Sequence, residues 1–131
     1  MTALQEIGSA ACLSLLGSEH VGRLAYVDGS APVIRPVNYY LADEHSIIIR
    51  THYGSSFSGL KGAPVSFEID KVDNAQGSGW SVVVTGTAEP ITDIDELVVA
   101  ADPRYRPWAP GEKGQFLRIR VAQISGRELS A

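Results

Sequence analysis

Closely spaced β-type segments most constrain what this chain can fold into. Each combines β-branched or aromatic residues with an alternating or continuous apolar pattern, and turn residues separate them. The predicted strands are His20–Asp28, Ala31–Leu41, Ser46–Thr51, Pro64–Val72, Trp80–Pro90 and Gln115–Ile124. Because no long helices alternate with these strands, a parallel βαβ sheet is disfavoured. In only 131 residues, such a sheet is expected to close into an antiparallel barrel, which removes exposed edges.

The first predicted hairpin carries the clearest turn signal. Asp28-Gly29 is typical of a tight turn between two antiparallel strands. Pro32 and Pro36 cannot donate to a strand ladder, so the returning strand is expected to be an edge strand or a bulged one. The isoleucines at 47–49 are a β-branched run suited to a strand that is buried on both faces.

Helical periodicity is confined to short segments. Apolar residues near the N-terminus recur at three- and four-residue steps and predict a helix with Ser9 as its N-cap. Its predicted stripe contains Leu4, Ile7, Ala11, Cys12, Leu15 and Leu16. A second short helix is predicted around residues 57–61. A third is predicted over residues 93–101, with Thr92 or Asp93 as its cap.

Composition narrows the classes of protein that remain. A net charge of -4 argues against a nucleic-acid binder. The length suits one domain covering residues 1–131. A single cysteine, Cys12, permits no intrachain disulfide and is interpreted as a buried structural thiol in a cytoplasmic protein. No apolar run approaches the roughly 20 residues of a membrane span, and no secretory signal is present.

No catalytic or metal motif stands out. The three histidines are far apart in the sequence and belong to no short-spaced ligand motif, so no metal site is predicted. A nucleophile elbow, a dinucleotide-binding fingerprint and a phosphate-binding P-loop are all lacking. No carboxylate or histidine is therefore nominated as a catalytic acid or base.

Two segments are candidates for binding an anion. Arg50 ends a strand and is followed by hydroxyl residues, a glycine and a predicted helix start, which suits a phosphate. A polar turn before a capped helix would have the same pattern, so both interpretations stay open. Arg35 lies inside an apolar strand, where a buried guanidinium would need an anionic partner. A place on the solvent face is the alternative.

Several segments, taken in order, resemble the FMN-binding split-barrel family of pyridoxamine 5'-phosphate oxidase, above all its short bacterial members. The resemblance covers roughly residues 4 to 127. Its motifs are Val21-Gly22-Arg23-Leu24-Ala25-Tyr26, Pro36-Val37-Asn38-Tyr39, Gly54-Ser55, Gly79-Trp80-Ser81-Val82-Val83-Val84-Thr85-Gly86, Pro107-Trp108-Ala109-Pro110-Gly111 and Phe116-Leu117-Arg118-Ile119. The family implies a mainly β, six-stranded antiparallel split barrel. It also implies a homodimer with flavin sites at the subunit interface.

The resemblance assigns roles to particular residues. Arg35 would reach the FMN phosphate, and the backbone of Pro36, Val37 and Asn38 would run beside the isoalloxazine ring. The implied phosphate loop comprises Thr51, Ser55 and Ser56. The residues implied to approach the ring, from the other subunit or as neighbours, are Trp80, Ser81 and Trp108.

One position departs from the family pattern. The family usually has Lys or Arg directly after the Gly-Ser pair, whereas this sequence has Ser56-Phe57. A phosphate clamp without that cation is expected to bind less tightly, because charge-assisted hydrogen bonds are roughly twice as strong as neutral ones. Arg50 or Lys61 could compensate.

The expected function is FMN-dependent oxidation or reduction of a small-molecule substrate, with the chemistry supplied by the flavin. One alternative keeps the fold but uses the deazaflavin coenzyme F-420, whose anionic tail would lie along Arg35, Arg50 and Lys61. Another is a non-enzymatic module that binds flavin or haem. Haem would require one of the histidines at 20, 45 or 52 to face the pocket.

Overall fold

Seven antiparallel strands and one helix make up the described part of the chain. The computed structural model describes residues 3–51, 57, 59–93, 95–96 and 115–130. In chain order the elements are β1 (Ala3–Ile7), α1 (Ser9–Ser18), β2 (Val21–Asp28), β3 (Ala31–Asp43), β4 (Ser46–Thr51), β5 (Pro64–Asp73), β6 (Ser78–Pro90) and β7 (Gln115–Ser130). The strand order is β1-β7-β4-β3-β2-β5-β6, and β6 also pairs with β7. Strands β2 to β7 therefore form a ring, and the predicted mainly β barrel is confirmed.

The inside of the ring is filled by every second side chain of each strand. In β5, Val65, Phe67 and Ile69 are buried and alternate with polar residues, as expected for a strand with one wet face. Fully burying such a side chain contributes roughly 1.5–3 kcal/mol. The largest fully buried side chains are Phe67, Leu16, Leu24, Ile47, Ile49, Ile69, Leu117 and Ile119. One continuous apolar core therefore holds the strands together.

The helix α1 packs against the same core. Its Cys12 and Leu16 are completely buried, and burial raises the pKa of the Cys12 thiol. The hydroxyl of Tyr39 on β3 donates a buried 2.7 Å hydrogen bond to the carbonyl oxygen of Leu16. This bond ties the last turn of the helix to the barrel wall. In the described part of the chain, no helix is long and apolar enough to cross a membrane.

The N-terminal prediction was partly wrong. Leu4 and Ile7 belong to the strand β1 rather than to a helical stripe, and Gly8, not Ser9, is the N-cap of α1. The short strand is stabilised by β7, which continues to Ser130 instead of ending at Ile124. Because β7 pairs with both β1 and β6 over this extension, pairing overrides its weak apolar pattern.

The prolines of β3 lie where the strand has only one neighbour. Pro32 and Pro36 pair with β2, and β4 joins β3 only from Asn38 onward. The prediction that these prolines mark an edge is therefore confirmed for the first half of the strand. The hairpin of residues 26–33 extends beyond the ring, since β5 pairs with β2 only at residues 23–25.

Gly86 lies at a bulge where β6 and β7 change register. A Cβ at this position would overlap the backbone carbonyl oxygen of Arg120. Because that atom belongs to the opposing strand backbone, a small side-chain shift cannot relieve the overlap. The glycine in the motif Val84-Thr85-Gly86 is therefore needed for the close approach of two strands.

We expect Gly86→Ala to lower the free energy of unfolding by about 2 kcal/mol, since overpacking against backbone forces the strands apart. Urea unfolding followed by circular dichroism measures the change. Gly17→Ala is the matched control, because a Cβ there meets nothing within 4 Å. In α1 that substitution should stabilise the protein by roughly 0.5–1 kcal/mol. Similar effects of the two substitutions would contradict the steric explanation.

Candidate functional site

Two of the residues predicted to bind the cofactor face each other on adjacent strands. Asn38 of β3 is the register partner of Arg50 of β4, and Arg50 is in turn paired with Phe116 of β7. Direct partners in an antiparallel pair share one face of the sheet. All three side chains therefore lie in one row on the outer side of the barrel wall.

Arg50 occupies an unusual position in this row. Its guanidinium carbon lies 5.5 Å from the centre of the Phe116 ring, within the range of a cation–π contact. Its Nε is buried and has no hydrogen-bond partner in the part of the chain that the structure describes. A buried donor without an acceptor is costly, so a ligand that supplies an anionic oxygen would be favoured here.

The neighbouring residues of β3 alternate between surface and core. Arg35 and Pro36 are exposed, whereas the Val37 side chain is buried in the core. Arg35 is the register partner of the buried Leu24, so it lies on the inner face of the sheet, yet it is exposed because the ring is open there. Only the backbone of Val37 can meet a ligand at the surface.

A cavity of about 250 Å³, here called the Phe57 cavity, lies beside Phe116 and is lined by Phe57, Ile91 and Leu117 among others. Phe57 is itself buried and makes an edge-to-face contact with Tyr26, with the ring centres 5.7 Å apart. Phe57 thus occupies a core position, whereas Ser56, which stands where the family usually has a cation, lies outside the described residues.

A charged cluster that the sequence reasoning missed lies on the outer face between β3 and β6. Arg23 of β2 contacts two carboxylates of β5, with Nε 3.1 Å from Glu68 Oε1 and Nη2 2.7 Å from Asp70 Oδ2. Arg23 is the register partner of Pro36, and Asp70 is the partner of Ser81. The alternating polar residues of β5 predicted only that one face of this strand is exposed to solvent. The pairing of those residues with Arg23 required the order of the strands.

Comparison with known proteins identifies the family. The sequence model described as pyridoxamine 5'-phosphate oxidase matches residues 8–128. The chain belongs to the pyridoxamine 5'-phosphate oxidase family. An uncharacterized protein of Mycobacterium tuberculosis is 33% identical over 132 residues, which cover 96% of this chain and 86% of that protein.

Two solved structures show that the fold is the flavin-binding split barrel of the pyridoxamine 5'-phosphate oxidase family. A Corynebacterium glutamicum protein named after pyridoxamine 5'-phosphate oxidase has a TM-score of 0.82 and 33% identity, covering 97% of this chain and 93% of its own. An FAD-binding protein of Mycobacterium smegmatis has a TM-score of 0.78 and 26% identity, covering 97% and 99%. The fold predicted from the resemblance is confirmed.

The structure brings together some of the residues that the family resemblance implied. Asn38 and Arg50 are side by side on β3 and β4. The preceding stretch Arg35–Val37 lies on the same strand before β4 joins it, with the side chains of Arg35 and Val37 on the inner face. Lys61 is exposed in the turn that precedes β5 and is not part of the row of Asn38 and Arg50. The predicted residues outside the described part of the chain are Ser55, Ser56, Trp108 and the side chain of Thr51.

The predicted residues of β6 lie on a different part of the barrel. Trp80 and Ser81 are half-buried and line a second cavity of about 340 Å³, here called the Trp80 cavity. Arg127 and the carboxylates of the Arg23 cluster line it too. The row of Asn38 and Arg50 therefore does not include Trp80 and Ser81 within one chain.

The histidines considered as haem ligands do not line a described cavity. His20 precedes β2 and His45 lies in the turn between β3 and β4, and both are exposed. His52 falls outside the described residues. Among the described residues, no group of three or more His, Cys, Asp and Glu side chains could hold a metal ion.

The two carboxyls of the Arg23 cluster (Arg23, Glu68 and Asp70) have pKa values shifted in opposite directions. Burial, with a hydrogen bond to Asp70, raises the pKa of Glu68 to about 7. Hydrogen bonds from Glu68 and Arg23 hold the pKa of Asp70 below its usual value of 3.8. A protonated Glu68 therefore donates to an ionised Asp70 at mildly acidic pH.

We expect Glu68→Gln to remove a pH dependence of stability between pH 5 and 8. Because folding raises the pKa of Glu68, the protonated carboxyl favours the folded state, and this contribution is lost as the pH rises through about 7. A glutamine can still donate to Asp70. At pH 8 the variant should be more stable than the native protein by about 1 kcal/mol, allowing for solvent screening.

Urea unfolding at several pH values measures this difference. Asp70 does not interfere, because its lowered pKa places its titration below that range. Glu128→Gln, at an exposed position of β7, removes the same charge and serves as the control. Parallel pH profiles for the native protein and Glu68→Gln would rule out titration of Glu68 in this window.

Proposed function

We propose that this chain binds a flavin, preferably FMN, and acts as a flavin-dependent oxidoreductase on a small organic substrate. Arg50 is the observation that carries the proposal, since its buried Nε has no acceptor among the described residues. A phosphate oxygen would satisfy that donor and neutralise the guanidinium. The name of the Mycobacterium smegmatis relative, an FAD-binding protein, supports a flavin as the ligand class.

The residues present fit a flavin phosphate and ring. Arg50 would hold the phosphate on the outer face of the sheet, whereas Arg35 projects from the opposite, inner face of β3. The stretch Pro36–Asn38 would offer backbone groups to the isoalloxazine edge, because Val37 directs its side chain into the core. When bound, the flavin would supply the electron transfer. The protein would bind and orient the flavin and would exclude water from one side of its ring.

Flavin titration of the purified protein tests this proposal. We expect FMN to raise the melting temperature and to bind more tightly than riboflavin, which lacks the phosphate. Arg50→Ala should weaken FMN binding about tenfold to a hundredfold, the usual effect of losing a hydrogen bond to a charged group. Riboflavin binding should not change in that variant.

Arg120→Ala is the matched control. Arg120 is an exposed arginine of β7 that pairs with Glu89 at 2.9 Å, outside the candidate site. Equal affinity for FMN and riboflavin, or no binding and no rise in melting temperature with either, would contradict the proposal. FAD and the deazaflavin F-420 belong in the same titration, and clearly tighter binding of F-420 would favour the deazaflavin alternative.

We further propose that the protein works as a homodimer, with the Trp80 cavity facing the second copy. Three large apolar side chains that line this cavity are exposed: Leu4 at 60%, Val72 at 64% and Leu129 at 37%. Val83, the register partner of the lining residue Glu68, is 37% exposed. Such a patch favours a protein partner. The same face holds Arg127 and the acidic residues Glu68 and Asp70, so two copies related by a twofold axis can complement each other's charge.

Sedimentation velocity is the measurement for this interface. Val83→Arg introduces a charge into the apolar patch and should convert a dimer into monomers at micromolar concentration. Ala11→Arg, on the exposed side of α1, adds the same charge elsewhere and should leave the dimer intact. A monomeric native protein, or a dimer that Val83→Arg does not weaken, would contradict this interface.

A further inference from the structure

The outer face of β5, β6, β7 and β1 carries an exposed apolar row that runs across the four strands. The row consists of Val72, Gly79, Leu129 and Leu4, which are register partners from strand to strand. All four line the Trp80 cavity. Because Gly79 has no side chain, the row has a depression on β6 into which a side chain of another molecule can pack.

The neighbouring row on the same face carries opposite charges on the two sides of β6. Asp70 of β5 is the register partner of Ser81 of β6, and Ser81 is the register partner of Arg127 of β7. Two strand spacings, together about 10 Å, separate the acidic residue from the basic one. The Trp80 cavity is therefore acidic on its β5 side and basic on its β7 side.

Neither side has its charges balanced within one chain. Arg23 is shared by two carboxylates, at 3.1 Å from Glu68 and 2.7 Å from Asp70. One guanidinium therefore faces two acidic groups. Arg127 is exposed and makes no ion pair with any described residue, its register partner Glu6 included. The β5 side lacks a cation, and the β7 side carries one that is unused.

A twofold axis perpendicular to the sheet at Ser81 would satisfy both sides. In a twofold contact every pair of residues occurs twice, because residue i meets residue j and residue j meets residue i. Rotation about Ser81 exchanges the β5 and β7 sides, so that Arg127 of one copy meets Asp70 of the other. It also exchanges the positions two residues before and after Ser81, which places the exposed Val83 over the depression at Gly79.

We propose that two copies of the chain pack about a twofold axis at Ser81, with Arg127 of each copy paired with Asp70 and Glu68 of the other. The inference rests on the homodimer proposed above and adds the residues that meet and a control by pH. Shape and charge point to the same axis, since Val83 fills the depression in the rotation that joins the opposite charges.

A second guanidinium would change the protonation of the Arg23 cluster. Burial and a hydrogen bond to Asp70 raise the pKa of Glu68 to about 7 in the single chain. Arg23 and Asp70 are the charged groups that face it there, and β6 places the uncharged Val83 opposite. Arg127 of the second copy would lower this pKa, because a nearby cation favours the carboxylate. Association would then release protons, and the dimer would weaken as the pH falls below about 7.

Mixing two charge-reversed chains tests the contact. Arg127→Glu alone would place acids against acids, and Asp70→Lys alone would place bases against bases. Each variant should therefore dimerise at least about tenfold more weakly than the native protein. An equal mixture should form a heterodimer, because both of its contacts again join opposite charges. Sedimentation velocity at pH 8 measures association, and native mass spectrometry identifies the mixed dimer.

Arg127→Gln supplies a second test at an exposed position outside the Arg23 cluster. Between pH 8 and pH 5.5 the native dimer should weaken by about tenfold or more, and this variant should lose most of that dependence. Arg120→Gln is the matched control, because Arg120 is an exposed arginine of β7 that pairs with Glu89 and does not line the Trp80 cavity. It should keep the native pH dependence.

The outcomes separate this contact from the homodimer itself. A native protein that is monomeric at both pH values contradicts the homodimer and the contact with it. A native dimer whose two charge-reversed variants form no mixed dimer, or whose pH dependence survives in Arg127→Gln, overturns the contact and leaves the homodimer in place. Circular dichroism checks the folding of Asp70→Lys, and if that variant is unfolded the Arg127→Gln comparison alone decides.

Discussion

Pairing of β6 with β7 is the constraint on which the rest of the structure depends. This long ladder closes the ring, so that side chains from all six barrel strands point into one core. Closure also requires the two backbones to approach very closely at Gly86, where no side chain fits. Without this ladder, β6 would be an open edge beside a half-exposed apolar core.

Closure creates a second consequence on the outer face. Strand β4 lies between β3 and β7, and its isoleucines are buried on both faces of the sheet. Ile47 and Ile49 lie on the inner face, and Ile48 lies on the outer face. Ile91 and Phe116 cover Ile48 and form a small cluster separate from the main core. The row of Asn38 and Arg50 lies against this cluster, so the candidate binding surface is built on a strand that is buried on both faces.

Much of the fold followed from local patterns. The hairpin signal at Asp28-Gly29, the isoleucine run and the alternation in β5 each predicted the element that the structure contains. The strand β1 could not be predicted in this way, because its pairing with the polar end of β7 is a long-range interaction with little apolar pattern. The candidate site was accessible through the family motifs at Arg35–Asn38. Arg23, Glu68 and Asp70 needed the order of β2 and β5 before their contacts could be seen.

The pairing of β1 with β7 has a topological consequence. Ala3 and Ser130 are register partners, so the two ends of the described chain lie side by side on adjacent strands. Direct partners of this kind have Cα atoms about 5 Å apart. A few linking residues would therefore join these ends without disturbing the barrel, and new ends could be opened at the exposed turn between β5 and β6. The order in which the strands occur along the chain could thus be permuted while the same ring of strands is retained.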